Sequence, residues 1–290
     1  MKTKIIFYLV LAALQYMVYG ENTLTYRIEL TKDTIYFGEP IIVKCKLINR
    51  SERKVPIFSY PGTALLTFGY TNFYLSSPSN YKDYKYGVYL HSNLLVHSDS
   101  FTLDTRDSVY YYTILSWIGF TYLKYNNLKQ GWYKIRSTYF SLESNVDSFY
   151  ADALPAKEKE IFEEIGAIVD TFWVWPEGGW PPMRDKIRKV FPNIIKQEKS
   201  VFSPFCYYML WRMVFNDESK AEFLAEEFFK LYPDSPLTEK FAFDLYRYYG
   251  WYKKDEDKGR TIILDALEKY PDNLIGYFYL KLKNKKERSK

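Results

Sequence analysis

The apolar residues of this chain change period once, and the change divides it. As far as Tyr139 they alternate with polar residues at every second position. From Ile161 onward they recur every third or fourth position. The first pattern belongs to half-buried strands and the second to amphipathic helices. Between them lies Leu142–Ala156, LESNVDSFYADALPA, which is mostly polar and ends in Leu154-Pro155. Proline suits the first position of a helix, so a helix is expected to start there. The expected organisation is a β domain over 21–141, a linker over 142–154 and an α domain over 155–283.

At 290 residues, two cores of ordinary size fit. A chain that is 47% hydrophobic and 20% aromatic can bury them. The formal charge of +5 is confined to the ends. Residues 281–290 hold six bases and one acid, Lys2 and Lys4 add two bases, and 21–280 is left at −2. A nucleic-acid partner is therefore not expected. The tail over 284–290 reads as a solvated basic terminus.

Met1–Gly20 opens with two lysines and continues as an apolar run from Ile5 to Leu14 and on to Val18. Val18 and Gly20 stand three and one positions before a cut ahead of Glu21. That is the pattern of a cleaved secretory signal peptide, and the run is short for a membrane span. An exported chain in the periplasm or at the cell surface is expected, with no stable span after cleavage. Its two cysteines, Cys45 and Cys206, fall one in each expected domain. They read as buried free thiols rather than as a disulfide.

In the β half, Leu24, Tyr26, Ile28 and Leu30 alternate with Thr25, Arg27, Glu29 and Thr31. A turn at Gly38-Glu39-Pro40 leads to Ile41, Val43, Cys45 and Leu47, interleaved with Lys44 and Lys46. Further strands are expected at 55–58, 65–68, 101–104, 109–115 and 131–139. Asn49-Arg50-Ser51 has the form of a glycosylation sequon, but such residues at a strand end read as a turn. Short alternating strands separated by turns point to a two-sheet sandwich. The stretches TIYFGEPIIVKCKLINRS and QGWYKIRSTY resemble the immunoglobulin-like domains of bacterial exported proteins. That resemblance implies adhesion, spacing or partner binding, and no shared catalytic residues. The long connection from Tyr70 to Asn93 carries Tyr74, Tyr81, Tyr84, Tyr86 and Tyr89. These are either a binding surface or a cover for the sandwich edge.

In the α half, Ile161–Phe172, Met183–Phe191, Phe205–Phe215, Ala221–Tyr232, Leu237–Tyr249, Ile262–Tyr270 and Leu274–Leu282 each present an apolar face. Pro192, Pro233 and Pro271 close similar segments 41 and 38 residues apart. A period near 40 with paired helices means an α-solenoid. AEEFFKLYPDSPLTEKFAFDLYRY resembles the tetratricopeptide-type repeats of bacterial envelope proteins. The expected fold class is thus multidomain, all-β plus all-α: an immunoglobulin-like sandwich followed by a tetratricopeptide-like α-α solenoid. A loop between the first two helices carries Trp173, Trp175 and Trp180 among Pro and Gly. It either docks on the sandwich or stacks on a ligand.

Chemistry is sparse. His91 and His97 have no Cys or carboxylate cluster at metal spacing, and HExxH, GxSxG, Walker and dinucleotide motifs are missing. The sequence predicts a non-enzymatic, cofactor-free interaction protein of the bacterial envelope. Its expected partner is another envelope protein or peptide. The alternative is a carbohydrate- or peptidoglycan-binding module using the aromatic loop.

Overall fold

A computed structural model describes residues 23–59, 71–77, 80–87, 99–116, 129–139, 141–169, 181–196, 200–214 and 216–269. The expected signal segment, the expected strand at 65–68, Tyr89, His91, His97, the three loop tryptophans, Pro271, the expected helix at 274–282 and the tail lie outside these residues.

Among the described residues eleven strands come first: β1 Leu24–Leu30, β2 Thr34–Tyr36, β3 Ile41–Asn49, β4 Val55–Ser59, β5 Thr71–Ser77, β6 Asn80–Gly87, β7 Asp99–Leu103, β8 Ser108–Ser116, β9 Gly131–Tyr139, β10 Leu142–Glu143 and β11 Asp147–Asp152. Six helices follow: α1 Ala156–Val169, α2 Pro181–Ile195, α3 Ser203–Val214, α4 Glu218–Leu231, α5 Leu237–Arg247 and α6 Glu256–Lys269. The described chain is thus β in its N-terminal part and α in its C-terminal part.

The smaller sheet has the order β1-β3-β8 and the larger β2-β11-β9-β5-β6, with β10 added beside β9. β4 and β7 pair with each other. Alternation on β1 and β3 turns Tyr26, Ile28, Val43, Cys45 and Leu47 inward, where they join Phe73, Ile135, Tyr139 and Phe149 of the larger sheet in one buried cluster. Tyr26 Oη and Ser137 Oγ share a hydrogen bond of 2.9 Å across this core, and Ser137 Oγ donates to the carbonyl of Asn72 at 2.8 Å. The hydroxyls are thereby satisfied where water is excluded.

Three expectations change here. The segment 142–154 is not a bare linker. It carries β10 and β11, and β11 lies between β2 and β9, with Phe149 and Ala151 fully buried. Its polar residues had hidden it: Ser148 is exposed and Asp147 half-buried, while Phe149 and Ala151 stand at alternate positions. The tyrosine-rich connection is a hairpin, β5 against β6. Pro192 does not end its helix, since α2 runs on to Ile195. Phe191 and Ile194 are both fully buried, and that anchorage on either side holds the turn despite the amide a proline lacks. Pro233 does follow a helix end, two residues after α4.

Cys45 and Cys206 are buried free thiols. Asn49 is buried. Its amide donates to the carbonyls of Arg53 at 2.7 Å and Asp104 at 2.8 Å, while its oxygen accepts from Ser51 N at 3.0 Å. The sequon is therefore an internal turn. The edge of β1 is capped by side chains: Asn145 accepts from Ile28 N at 2.9 Å and donates to Ile28 O at 3.0 Å, and Asp147 accepts from Leu30 N at 2.7 Å. An edge so occupied cannot template another strand there.

Lys159 N donates to Pro155 O at 2.9 Å, which starts α1 where the proline predicts it. Asp217 caps α4 and Asp255 caps α6. After α5 the chain makes a π-helical turn over Tyr248–Lys253 and leaves it through Lys254 at φ 59°. Half-buried charges between α3 and α5 neutralise one another. Asp244 accepts from Tyr208 Oη and from Lys240 Nζ, the latter at 2.9 Å. Burial raises the Asp244 carboxyl, but Lys240 and Arg212 beside it outweigh that and hold it below the usual carboxylate range. Among the described residues no helix is long and apolar enough to cross a membrane.

Candidate functional site: a cleft at the joint

The two halves share side chains. Ile42, on β3, is buried with the helical core, and Tyr112, Leu154 and Phe162 pack against it. Phe243 and Ile263, on α5 and α6, group with the core of the sheets. At the Gly38-Glu39-Pro40 turn, Gly38 adopts φ +80°, and a Cβ there would lie inside the van der Waals envelope of the Phe162 ring. Glycine is required at that position on both counts. Glu39 is buried. It pairs with Lys32 and accepts from Tyr36 N at 3.1 Å, which fixes the turn that α1 leans on.

A polar link crosses the joint. Tyr110 Oη, on β8, donates to Glu239 Oε1, in the first turn of α5, at 2.8 Å. Glu239 is 5% exposed, and its other oxygen has no hydrogen-bond partner among the described residues. Burial pushes its carboxyl up to about 7, partly countered by the Tyr110 bond and by the charge of Lys44. Lys44 Nζ lies 4.3 Å from the centre of the Tyr110 ring and 5.9 Å from that of Tyr112. The two rings meet edge to face at 5.7 Å.

Beside this link is a cleft of about 430 Å³. The sheets supply Glu29, Lys32, Glu39, Ile42, Lys44 and Tyr112 to its walls. The starts of α3 and α5 supply Val201, Pro204, Phe205, Asp234, Ser235 and Pro236. The joint brings them together because a proline opens each helix, and the chain before each proline faces the turn of the smaller sheet. A concave site between two packed units, apolar with a few charges, is where binding sites concentrate. Among the described residues no group of three or more His, Cys, Asp or Glu is placed to hold a metal.

The residues singled out from the sequence fall elsewhere. Trp173, Trp175 and Trp180 lie outside the described residues. Tyr74 is on β5, half-buried, with the Arg136 guanidinium 4.3 Å over its ring, and does not line the cleft. Tyr81, Tyr84 and Tyr86 are on β6, where the positions of Tyr84 and Tyr86 oppose Leu75 and Phe73 of β5. Lys44, Tyr110, Tyr112 and Glu239 were not singled out. Lys44 is visible in the sequence only as a wet-face residue of a strand. Its juxtaposition with α5 is a property of the packing.

No family model matches the chain. No curated protein matches it either. Solved structures overlap it in part. The alkylpurine DNA glycosylase AlkC of Pseudomonas fluorescens is 10% identical, with 45% of this chain and 31% of that one covered, at a TM-score of 0.30. A β-glucosidase of Erythrobacter marinus is 9% identical over 45% and 15% of the two chains, at 0.29. A β-glucosidase of Listeria innocua is 12% identical over 47% and 17%, also at 0.29. The chain thus spans less than a third of the length of each of these three. The expectation of a non-enzymatic chain is corrected on this point: the overlapping structures include β-glucosidases, so that expectation is withdrawn. At such TM-scores the overlap assigns no activity.

Proposed function

We propose that the chain is an exported interaction protein of the bacterial envelope that holds a segment of a partner protein in the cleft at its joint. On this reading the β half is an immunoglobulin-like sandwich and the α half a tetratricopeptide-like repeat. Two sheets sharing one core support the first, and consecutive packed helices with a Tyr-Pro-Asp-Ser-Pro junction support the second. The signal-like start supports export. The observation that carries the reading is the cleft itself, about 430 Å³ in volume and walled by both halves. A site composed of two units that share side chains is pre-organised, which lowers the ordering cost of binding.

The test is site-directed photo-crosslinking in the native cell. A photoreactive residue at Asp234, exposed on the cleft wall, is compared with one at Lys254, exposed beyond the π-helical turn. A covalent adduct with one protein species from position 234 alone supports the reading. No adduct, or the same adducts from both positions, overturns it.

A further inference from the structure

We infer that the partner segment has an apolar head seated in the cleft and an acidic stretch lying along the outer face of the smaller sheet. This rests on the reading of the cleft as a docking site for a partner segment.

The pairing of β1 with β3 sets Arg27 directly opposite Lys46, and Lys46 lies opposite Tyr110 on β8. Lys44 is two residues along the same face, opposite Tyr112 on β8 and opposite Glu29 on β1. Arg50 follows the end of β3, and its Nε donates to Thr25 Oγ1 at 2.8 Å, which lays it against the same sheet. Four cations therefore share one face, scattered at 27, 44, 46 and 50 in the sequence and assembled only by strand pairing. Among the described residues none of the four is in an ion pair. Some other cations of the β half do have partners: Lys54 with Asp104, Arg106 with Glu52, and Lys32 with Glu39. Like charges directly opposite on neighbouring strands repel, so the Arg27–Lys46 pair is destabilising until an anion lies over it.

The row has a direction. Its Lys44 end is a wall of the cleft. The Lys44 ammonium lies over the Tyr110 ring, near the Glu239 carboxyl and opposite Glu29, so the surplus charge of the row is at Arg27, Lys46 and Arg50. From Lys44 to Arg50 the face is about 20 Å long, the span of about six extended residues. An extended segment with Asp or Glu at alternate positions would turn its carboxylates to this row. Inside the cleft the preference reverses. Its own walls carry Glu29, Glu39 and Asp234 against Lys32 and Lys44, with Glu39 paired to Lys32, beside Ile42, Val201 and Phe205. An apolar head followed by an acidic run fits both parts. A nucleic acid, with phosphate at every position, meets those three carboxylates and fits only the row.

The experiment measures fluorescence anisotropy of a labelled dodecapeptide, with a Leu-Phe head and alternating Glu, against the full-length protein. Its partners are the same peptide with Gln for Glu, a twelve-nucleotide single-stranded DNA, and the variants Lys44→Glu/Lys46→Glu and Lys134→Glu. Lys134 is exposed on the larger sheet and serves as the charge control. The Glu peptide should bind saturably and weaken at least tenfold in the double variant, in raised salt and on exchange of Glu for Gln. Lys134→Glu should change it less than twofold, and Lys46→Arg should retain it. An unchanged melting temperature verifies that each variant is folded. No binding of the Glu peptide, equal binding of the Gln peptide, an equal loss in Lys134→Glu, or tighter binding of the DNA overturns the inference. The cross-linked adduct at position 234 separates the two levels. Full yield in the double variant removes the acidic stretch and leaves the docking reading. No adduct in the wild type removes both.

Discussion

The hydroxyl of Tyr110 and the carboxylate of Glu239 meet at 2.8 Å across 129 residues of sequence. They form a polar contact between the smaller sheet and α5, and they make the joint sensitive to pH. Burial lifts the Glu239 carboxyl to about 7, so the folded protein holds that proton more tightly than the unfolded chain does. Stability from this group is fully present below the unfolded value near 4.5 and is lost as pH rises through 7. The melting temperature should therefore fall between pH 5 and pH 8. In Glu239→Gln that component, worth up to about 3 kcal/mol, should vanish. Thermal melts of both proteins across this range check it. An unchanged slope in the variant would show that other groups set the dependence.

Gly38→Ala should destabilise the full-length protein by about 2–4 kcal/mol, combining a left-handed φ with overpacking against the Phe162 ring. Combining it with Phe162→Leu should cost less than the sum of the two changes, because the smaller side chain makes room for the new methyl. Urea unfolding of the four proteins gives the coupling. Strict additivity would mean that the ring and the turn do not meet.

The strands of the smaller sheet were legible because each has one wet and one buried face, and β1, β3 and β8 fall where the alternation of Leu24–Leu30, Ile41–Leu47 and Val109–Leu115 puts them. The described helices were legible for the same reason. What was not legible is what depends on which elements neighbour each other. Phe149 and Ala151 read as isolated apolar residues in a polar seam until β2 and β9 flank them. Arg27 and Lys46 read as two ordinary wet-face cations until the register sets them opposite. The low net charge of 21–280 hid a basic face, because a sum over the chain carries no information about where charges gather.

Asn145→Ala should free the Ile28 amide and carbonyl on the edge of β1. The loss is expected to be about 1–2 kcal/mol, with concentration-dependent association as the exposed edge pairs between molecules. Light scattering over a concentration series, with a thermal melt of each sample, tests this. A variant that stays monomeric and equally stable would show that the side chain does not guard the edge.

Cys45 and Cys206 should not react with a thiol reagent in the native protein. Burial is the first cause in both: it holds the Cys45 thiol up at about 12, against smaller lowering contributions from Tyr26 and Tyr111, and raises the Cys206 thiol well above its ordinary value. Reaction should track global unfolding in urea, with two thiols released together. Early release of Cys206 alone would place a separate opening in the helical half.

The proposed cleft requires the joint to be part of one cooperative body rather than a flexible hinge. Differential scanning calorimetry of the full-length protein at pH 6 tests this most directly. One transition is expected, with equal calorimetric and van't Hoff enthalpies, moved to lower temperature as a whole by Gly38→Ala. Two separate transitions, only one of them moved by that change, would contradict it.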